Sequence, residues 1–174
     1  NSKSAPVDGR IELENVNTLE HGGNKVVVSR MGELVIFDST GINKGRWQIP
    51  YGATLYVNDG DTVKKDAKLF EWDPYTQPVL SNASGKIQFV DLIENTTYRV
   101  DKDDVTGVET WTVISDRHGK HRPAINVVDA SGERQGVYYL PDGAILTVHE
   151  GDKAEPGEIL AKLPRAVGKT KDIT

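Results

Sequence analysis

The sequence predicts an all-β chain with little helix, built as two tandem domains of similar fold. Three observations carry that expectation: the balance of side-chain types, the spacing of breakers, and an internal repeat. Val, Ile and Thr number 43, against 22 for Leu, Ala and Met. β-branched side chains suit a pleated surface and lose rotamer freedom in helices. Gly and Pro make up 25 of the 174 residues, so a helix of average length, about 11 residues, would generally contain one. No apolar face at the helical period runs beyond about two turns.

Strands are expected where short runs set apolar against polar positions between Gly, Pro, Asn or Asp clusters. In the first half these are Arg10–Leu13, Lys25–Ser29, Glu33–Phe37 and Thr54–Val57. In the second they are Lys86–Val90, Thr110–Ile114 and Ile145–Val148. Asn58-Asp59-Gly60-Asp61 and His149-Glu150-Gly151-Asp152 each put a Gly where a tight turn needs positive φ. Trp47, Tyr138 and Trp111 read as core aromatics.

The repeat sets the domain count. At an offset of 91, Ile36–Asp73 aligns with Val127–Pro164 without a gap, and 11 of the 38 columns are identical. Average composition would give about two or three. The matched cores read PYGATLYVNDGDTV and PDGAILTVHEGDKA, and Leu55/Leu146 and Val57/Val148 keep the same alternation. Upstream, Asp8-Gly9-Arg10-Ile11 resembles Ser84-Gly85-Lys86-Ile87 at an offset of 76. The second copy therefore carries 15 additional residues, expected within Asn95–Gly107 and Arg117–Arg122. The domains are placed at residues 7–80 and 81–167, with tails at 1–6 and 168–174. A repeat of this length is a duplicated domain rather than a solenoid unit.

Charge and composition exclude several functions. Lys plus Arg is 21 and Asp plus Glu is 26, a net charge of −5 with a pI of about 5.4, which gives no whole-chain reason to grip nucleic acid. With no Cys, disulfide scaffolds, thiolate metal sites and Cys nucleophiles are out. No apolar run approaches the roughly 20 residues that span a bilayer, and no signal-peptide pattern is present. The first residue is Asn1 and the one Met is Met31, so the sequence reads as an internal piece of a longer chain.

Candidate chemistry is sparse. The Gly-Asp-x-Val turn and the strand after it resemble biotinyl and lipoyl carrier domains, whose folds are small barrel-sandwich hybrids. A carrier places its modified Lys at the next hairpin tip. Here that stretch is Trp72–Pro78, without a Lys, and the second copy continues Leu163-Pro164-Arg165-Ala166. His118 and His121 form H-x-x-H, but zinc needs three or four convergent ligands, and His21 and His149 stand at no matching spacing. Asp101-Lys102-Asp103-Asp104 lacks the Gly and carboxylate that a calcium loop needs at its following positions and reads as an exposed turn. Asn82-Ala83-Ser84 and Asn95-Thr96-Thr97 match the glycosylation sequon and read as turns. There is no nucleophile elbow, no phosphate-binding loop and no carboxylate pair at catalytic spacing. No catalytic, cofactor-binding or metal residue is assigned. The candidate contact site, for a partner protein or phosphate, is the basic run Arg117, His118, Lys120, His121 and Arg122.

One resemblance spans nearly the whole chain. The string WDPYTQPVLSNASGKIQFVDL, the following DKDDVTGVETWTVI, and the segments IPYGATL and RPAINVVDASG carry it, with Gly168–Thr174 at the end. Together they resemble the bacterial RNA polymerase beta-prime subunit, and within it the insertion in the trigger loop of proteobacterial enzymes. The motif positions are Trp72–Pro78, Ser84–Phe89 and Asp104–Gly107. The sequence departs from the pattern at Gly132–Tyr138, where its loop is shorter.

The resemblance implies two sandwich-barrel hybrid domains with no catalysis of their own, inside a cytoplasmic, nucleoid-associated nucleotidyltransferase. It implies a module that moves with the trigger loop and modulates elongation, pausing, nucleotide addition and transcript cleavage. The implied partners are the rest of the beta-prime subunit, the beta subunit and transcription factors. Membrane contact is not implied, direct nucleic-acid contact is disfavoured, and the isolated fragment is expected to be a monomer. The family's magnesium and zinc sites lie outside these motifs, so no cofactor is assigned to this chain. The alternative is a free-standing carrier or ligand-binding domain of the barrel-sandwich hybrid type.

Overall fold

The computed structural model describes residues 1–165, and every regular element among them is a strand. Gly168–Thr174 and the last residues assigned to the second domain lie outside the described residues. Two compact units divide between Pro74 and Tyr75, earlier than the boundary placed after residue 80.

The first unit holds β1 (Ser2–Ser4), β2 (Gly9–Glu14), β3 (Thr18–His21), β4 (Asn24–Val27), β5 (Glu33–Phe37), β6 (Asn43–Gln48), β7 (Thr54–Leu55), β8 (Thr62–Val63) and β9 (Lys68–Glu71). They form two antiparallel sheets, ordered β1-β9-β7-β4-β3 and β6-β5-β2-β8. The register Ile11↔Ile36 and Leu13↔Leu34 turns one apolar stripe inward. Val27, Leu55, Leu69 and Phe70 meet it from the other sheet.

The second unit repeats this with β10 (Thr76–Leu80), β11 (Gly85–Val90), β12 (Tyr98–Lys102), β13 (Glu109–Val113), β14 (Ala124–Val128), β15 (Arg134–Tyr139), β16 (Ile145–Leu146), β17 (Lys153–Ala154) and β18 (Ile159–Pro164). Its sheets run β10-β18-β16-β13-β12 and β15-β14-β11-β17. Ile87, Ile125, Val127, Val113 and Leu160 fill its core. The fold of each unit is a sandwich-barrel hybrid, and Trp47, Trp111 and Tyr138 pack against the cores as expected.

The repeat is kept to single hydrogen bonds. Ile11 pairs with Ile36 as Ile87 does with Val127. Each copy bulges at the same place in its next pairing, at Ile36/Phe37 and at Val127/Val128. Asp38 Oδ1 accepts the amides of Thr40 and Ile42, and Asp129 Oδ1 accepts those of Ser131 and Glu133. The additional residues of the second copy enter at three places: between β11 and β12, in the β12–β13 turn, and between β13 and β14.

Three expectations change. Ser2–Ser4, placed in a tail, is an edge strand whose register runs Ser2↔Glu71 and Ser4↔Lys68. Trp72–Pro78 is no hairpin tip, because β9 pairs with β1 and β7 while β10 pairs with β18. Asp101 and Lys102 belong to β12, where Arg99 Nε donates to Asp101 Oδ2 at 3.0 Å. Only the stretch from Asp103 turns, its carboxylate accepting the amides of Val105 and Thr106.

Gly9 and Gly85 sit where β2 and β11 press against the carbonyls of Phe37 and Val128. A Cβ at either position would stand 2.4 Å or 2.2 Å from that backbone oxygen. Backbone cannot rotate aside as a side chain does. Gly9→Ala and Gly85→Ala are each expected to destabilise their own unit by about 1–3 kcal/mol, measured as a lower urea midpoint.

Candidate interaction surface

The basic run lies in the connection from β13 to β14, Ile114–Pro123, twice the length of its counterpart Val28–Gly32 in the first unit. Asp116, which the sequence did not single out, organises it. Its Oδ1 accepts the amide of His118 at 3.0 Å, and its Oδ2 accepts the amides of Lys120 and His121, each at 3.0 Å. His121 Nδ1 lies 2.9 Å from the same Oδ2. An ionised carboxylate only accepts, so Nδ1 carries the hydrogen. These bonds, the His118 amide first and the His121 ring next, hold the Asp116 carboxyl well below the usual carboxylate range.

The five candidate residues are therefore on one loop without sharing one role. Arg117, His118 and Lys120 are exposed, while His121 turns in toward Asp116. Arg122 donates its amide to Asp91 Oδ2 at 3.0 Å and lays its guanidinium 4.0 Å from the centre of the Tyr139 ring, a cation–π contact. Beside the loop, Asn95, Thr96, Ile114 and Ser115 join Asp116–His118 around a cavity of about 320 Å³. Among the described residues neither Arg117 nor Lys120 has an ion-pair partner. With its amides taken up by Asp116, such a loop holds the Arg117 and Lys120 cations on a fixed backbone, suited to carboxylate or phosphate.

A second feature had no sequence signal. Asn126, in the middle of β14, is 9% exposed, and its Oδ1 has no hydrogen-bond partner. Its Nδ2 reaches Gln88 Oε1 only at 3.4 Å. A buried acceptor left unmatched costs about 1–3 kcal/mol. On the same sheet Lys86 and Lys153 stand opposite each other in register. Both border a cavity of about 510 Å³ lined also by Ser84, Val128, Asp129 and Glu155.

No family model matches the chain, but curated relatives do. RNA polymerase subunit beta' of Parabacteroides distasonis is 40% identical over 181 residues, which take in all of this chain and 13% of that subunit. The same subunit of Coxiella burnetii is 37% identical over 180 residues, 95% of this chain and 13% of its own. That of Rickettsia felis is 39% identical over 185 residues, 99% of this chain and 14% of its own. The chain belongs to the RNA polymerase beta' family. It spans about 13% of the length of the first relatives it matches and corresponds to one segment of the beta' subunit. The surfaces just described are thus surfaces of a beta' segment.

The Asp116 carboxylate supplies a pH test. Its folded-state pKa lies below the unfolded value, so its contribution is complete above about pH 3.9 and is lost as pH falls through the folded value. In an acid titration followed by NMR, the amide signals of His118, Lys120 and His121 should hold steady through the ordinary carboxylate range and move only below it. Asp116→Ala should remove the exchange protection of all three amides.

Proposed function

We propose that the chain is a non-catalytic insertion in the trigger loop of the beta' subunit. In this reading it moves with that loop and modulates elongation, pausing, nucleotide addition and transcript cleavage through contacts with the rest of beta' and with the beta subunit. The observation that carries the reading is the match along the whole chain to one segment of a much longer subunit. Two units with separate apolar cores support it, since a body hung on a loop has to fold on its own contacts. The magnesium and zinc chemistry of the enzyme then lies on other segments.

The mechanism is a biased equilibrium. A contact that this body makes in only one state of the loop shifts the open–closed ratio by that contact's free energy. About 1.4 kcal/mol, a modest patch, is a tenfold change. Covalent carrier function has no support in the fold, because Trp72–Pro78 neither holds a Lys nor forms the tip that would present one.

Deleting the chain from the assembled polymerase should change pause lifetimes and transcript-cleavage rates in single-round elongation assays while leaving phosphodiester synthesis intact. An unchanged pause and cleavage profile would overturn the reading. Replacing Arg117, Lys120 and Arg122 with Gln should leave the salt dependence of DNA binding unaltered. A flatter dependence would instead move the loop to nucleic acid.

A further inference from the structure

The two copies of the fold part company on one face. Ile125 and Val127 of β14 enter the core, so Ala124, Asn126 and Val128 lie on the opposite side of the sheet. On β11 that side carries Lys86, Gln88 and Val90. In the first unit the same face is closed by its own charges. Arg46 Nη1 bonds Glu14 and Glu33, each at 2.9 Å, Arg10 bonds Glu12 at 2.7 Å, and Val35 is fully buried among them.

The second unit lacks that network among the described residues. The internal register puts Val137 in the place of Arg46, Val90 in the place of Glu14 and Ala124 in the place of Glu33. Gln88 replaces Glu12, and the buried Val35 becomes Asn126 with its orphaned oxygen. Every ion pair of the face is gone, and a polar atom has been added where the first copy is apolar. At one end Lys153 stands where the first unit has Thr62, directly opposite Lys86. Paired like charges repel unless an anion joins them, and neither lysine has an ion-pair partner among the described residues.

We propose that this face docks an acidic protein surface, with carboxylates seated between Lys86 and Lys153 at the cavity and polar groups meeting the exposed Gln88 amide. Across β15, β14 and β11 the middle of this face is uncharged, with Val137, Asn126 and Gln88 in one row and Ala124 and Val90 in the next, and charge kept to the rim is a feature of protein interfaces. A nucleic-acid site would carry cations across the whole face. Asp129 and Glu155 also bring negative charge to the cavity; the Asp129 oxygens are taken up by Ser131, Glu133 and Gln135, and among the described residues neither carboxylate forms an ion pair with Lys86 or Lys153. The inference rests on the reading above and names the chemistry of one of its protein contacts.

A photoreactive p-benzoylphenylalanine at position 88 of the assembled polymerase tests it. Irradiation is expected to give a crosslink to an Asp- and Glu-rich segment of the same enzyme. Lys86→Glu with Lys153→Glu should cut the yield about tenfold, and Glu155→Gln, which removes a carboxylate from the cavity, should raise it. Asn126→Val, the first unit's choice, should raise the thermal midpoint of the 174-residue chain. A crosslink to nucleic acid, to a second copy of the chain or to nothing overturns the proposal, as does a yield indifferent to both charge changes. If deletion alters pausing and position 88 stays silent, only this inference fails. If position 88 crosslinks as expected and pausing is unchanged, only the elongation role fails.

Discussion

The rest of each unit depends on how a single turn is fastened. Asn58–Asp61 lies between β7, in one sheet, and β8, in the other, so it carries the chain from sheet to sheet. Gly60 donates its amide to the Ile11 carbonyl at 2.8 Å, and Ile11 donates to the Asp61 carbonyl at 2.7 Å. The Asp59 carboxylate reaches on to the Leu13 amide at 2.8 Å. In the second unit Gly151, Asp152 and Glu150 make the same bonds to Ile87 and Phe89. With the turn fixed to the middle strand, β8 and β17 have one register available, and the two sheets close over one core. The φ of +89° at Gly60 and +87° at Gly151 admits few residues other than glycine.

That fastening explains what was legible. Gly60, Asp61, Gly52 and Pro50 recur at the same offset because backbone geometry, rather than packing, constrains them. The runs that alternate cleanly, such as Arg10–Leu13 and Glu33–Phe37, are strands with one face on the core. Strands without that signature stayed hidden. β1 is Ser-Lys-Ser, held by backbone bonds to β9. β6 contains a glycine because the Trp47 ring lies over Gly45, 2.4 Å from where a Cβ would stand. β14 does not alternate, since both of its faces are shielded.

The candidate loop was legible only as composition. A run of Arg, His, Lys, His and Arg announces charge, but its shape comes from Asp116, one residue before it, whose side chain is 4% exposed. An acidic residue beside a basic run reads as a neutralising neighbour. In the fold it is the acceptor that folds the backbone back and leaves Arg117 and Lys120 free. Asn126 is less legible still. An Asn within Ala-Ile-Asn-Val-Val looks like an ordinary polar position of a half-exposed strand, and its significance appears only when Val35 is seen at the matching place of the other copy.

Net charge weighs differently once these positions are known. A total of −5 describes the field far from the molecule, but at physiological salt exposed charges more than about 8 Å apart are largely screened from one another. What a partner meets is therefore the local set. On the first unit's sheet that set is paired internally, Arg46 with Glu14 and Glu33 and Arg10 with Glu12. On the second it is two lysines in register and a basic loop stiffened by a buried carboxylate. Duplication makes that division physically simple. Each unit has its own core and its own fastened turn, so the second can exchange a stabilising ion network for an unsatisfied amide without loosening the first. The surface of the second copy, more than the charge of the whole, is where the two copies differ most in what they present.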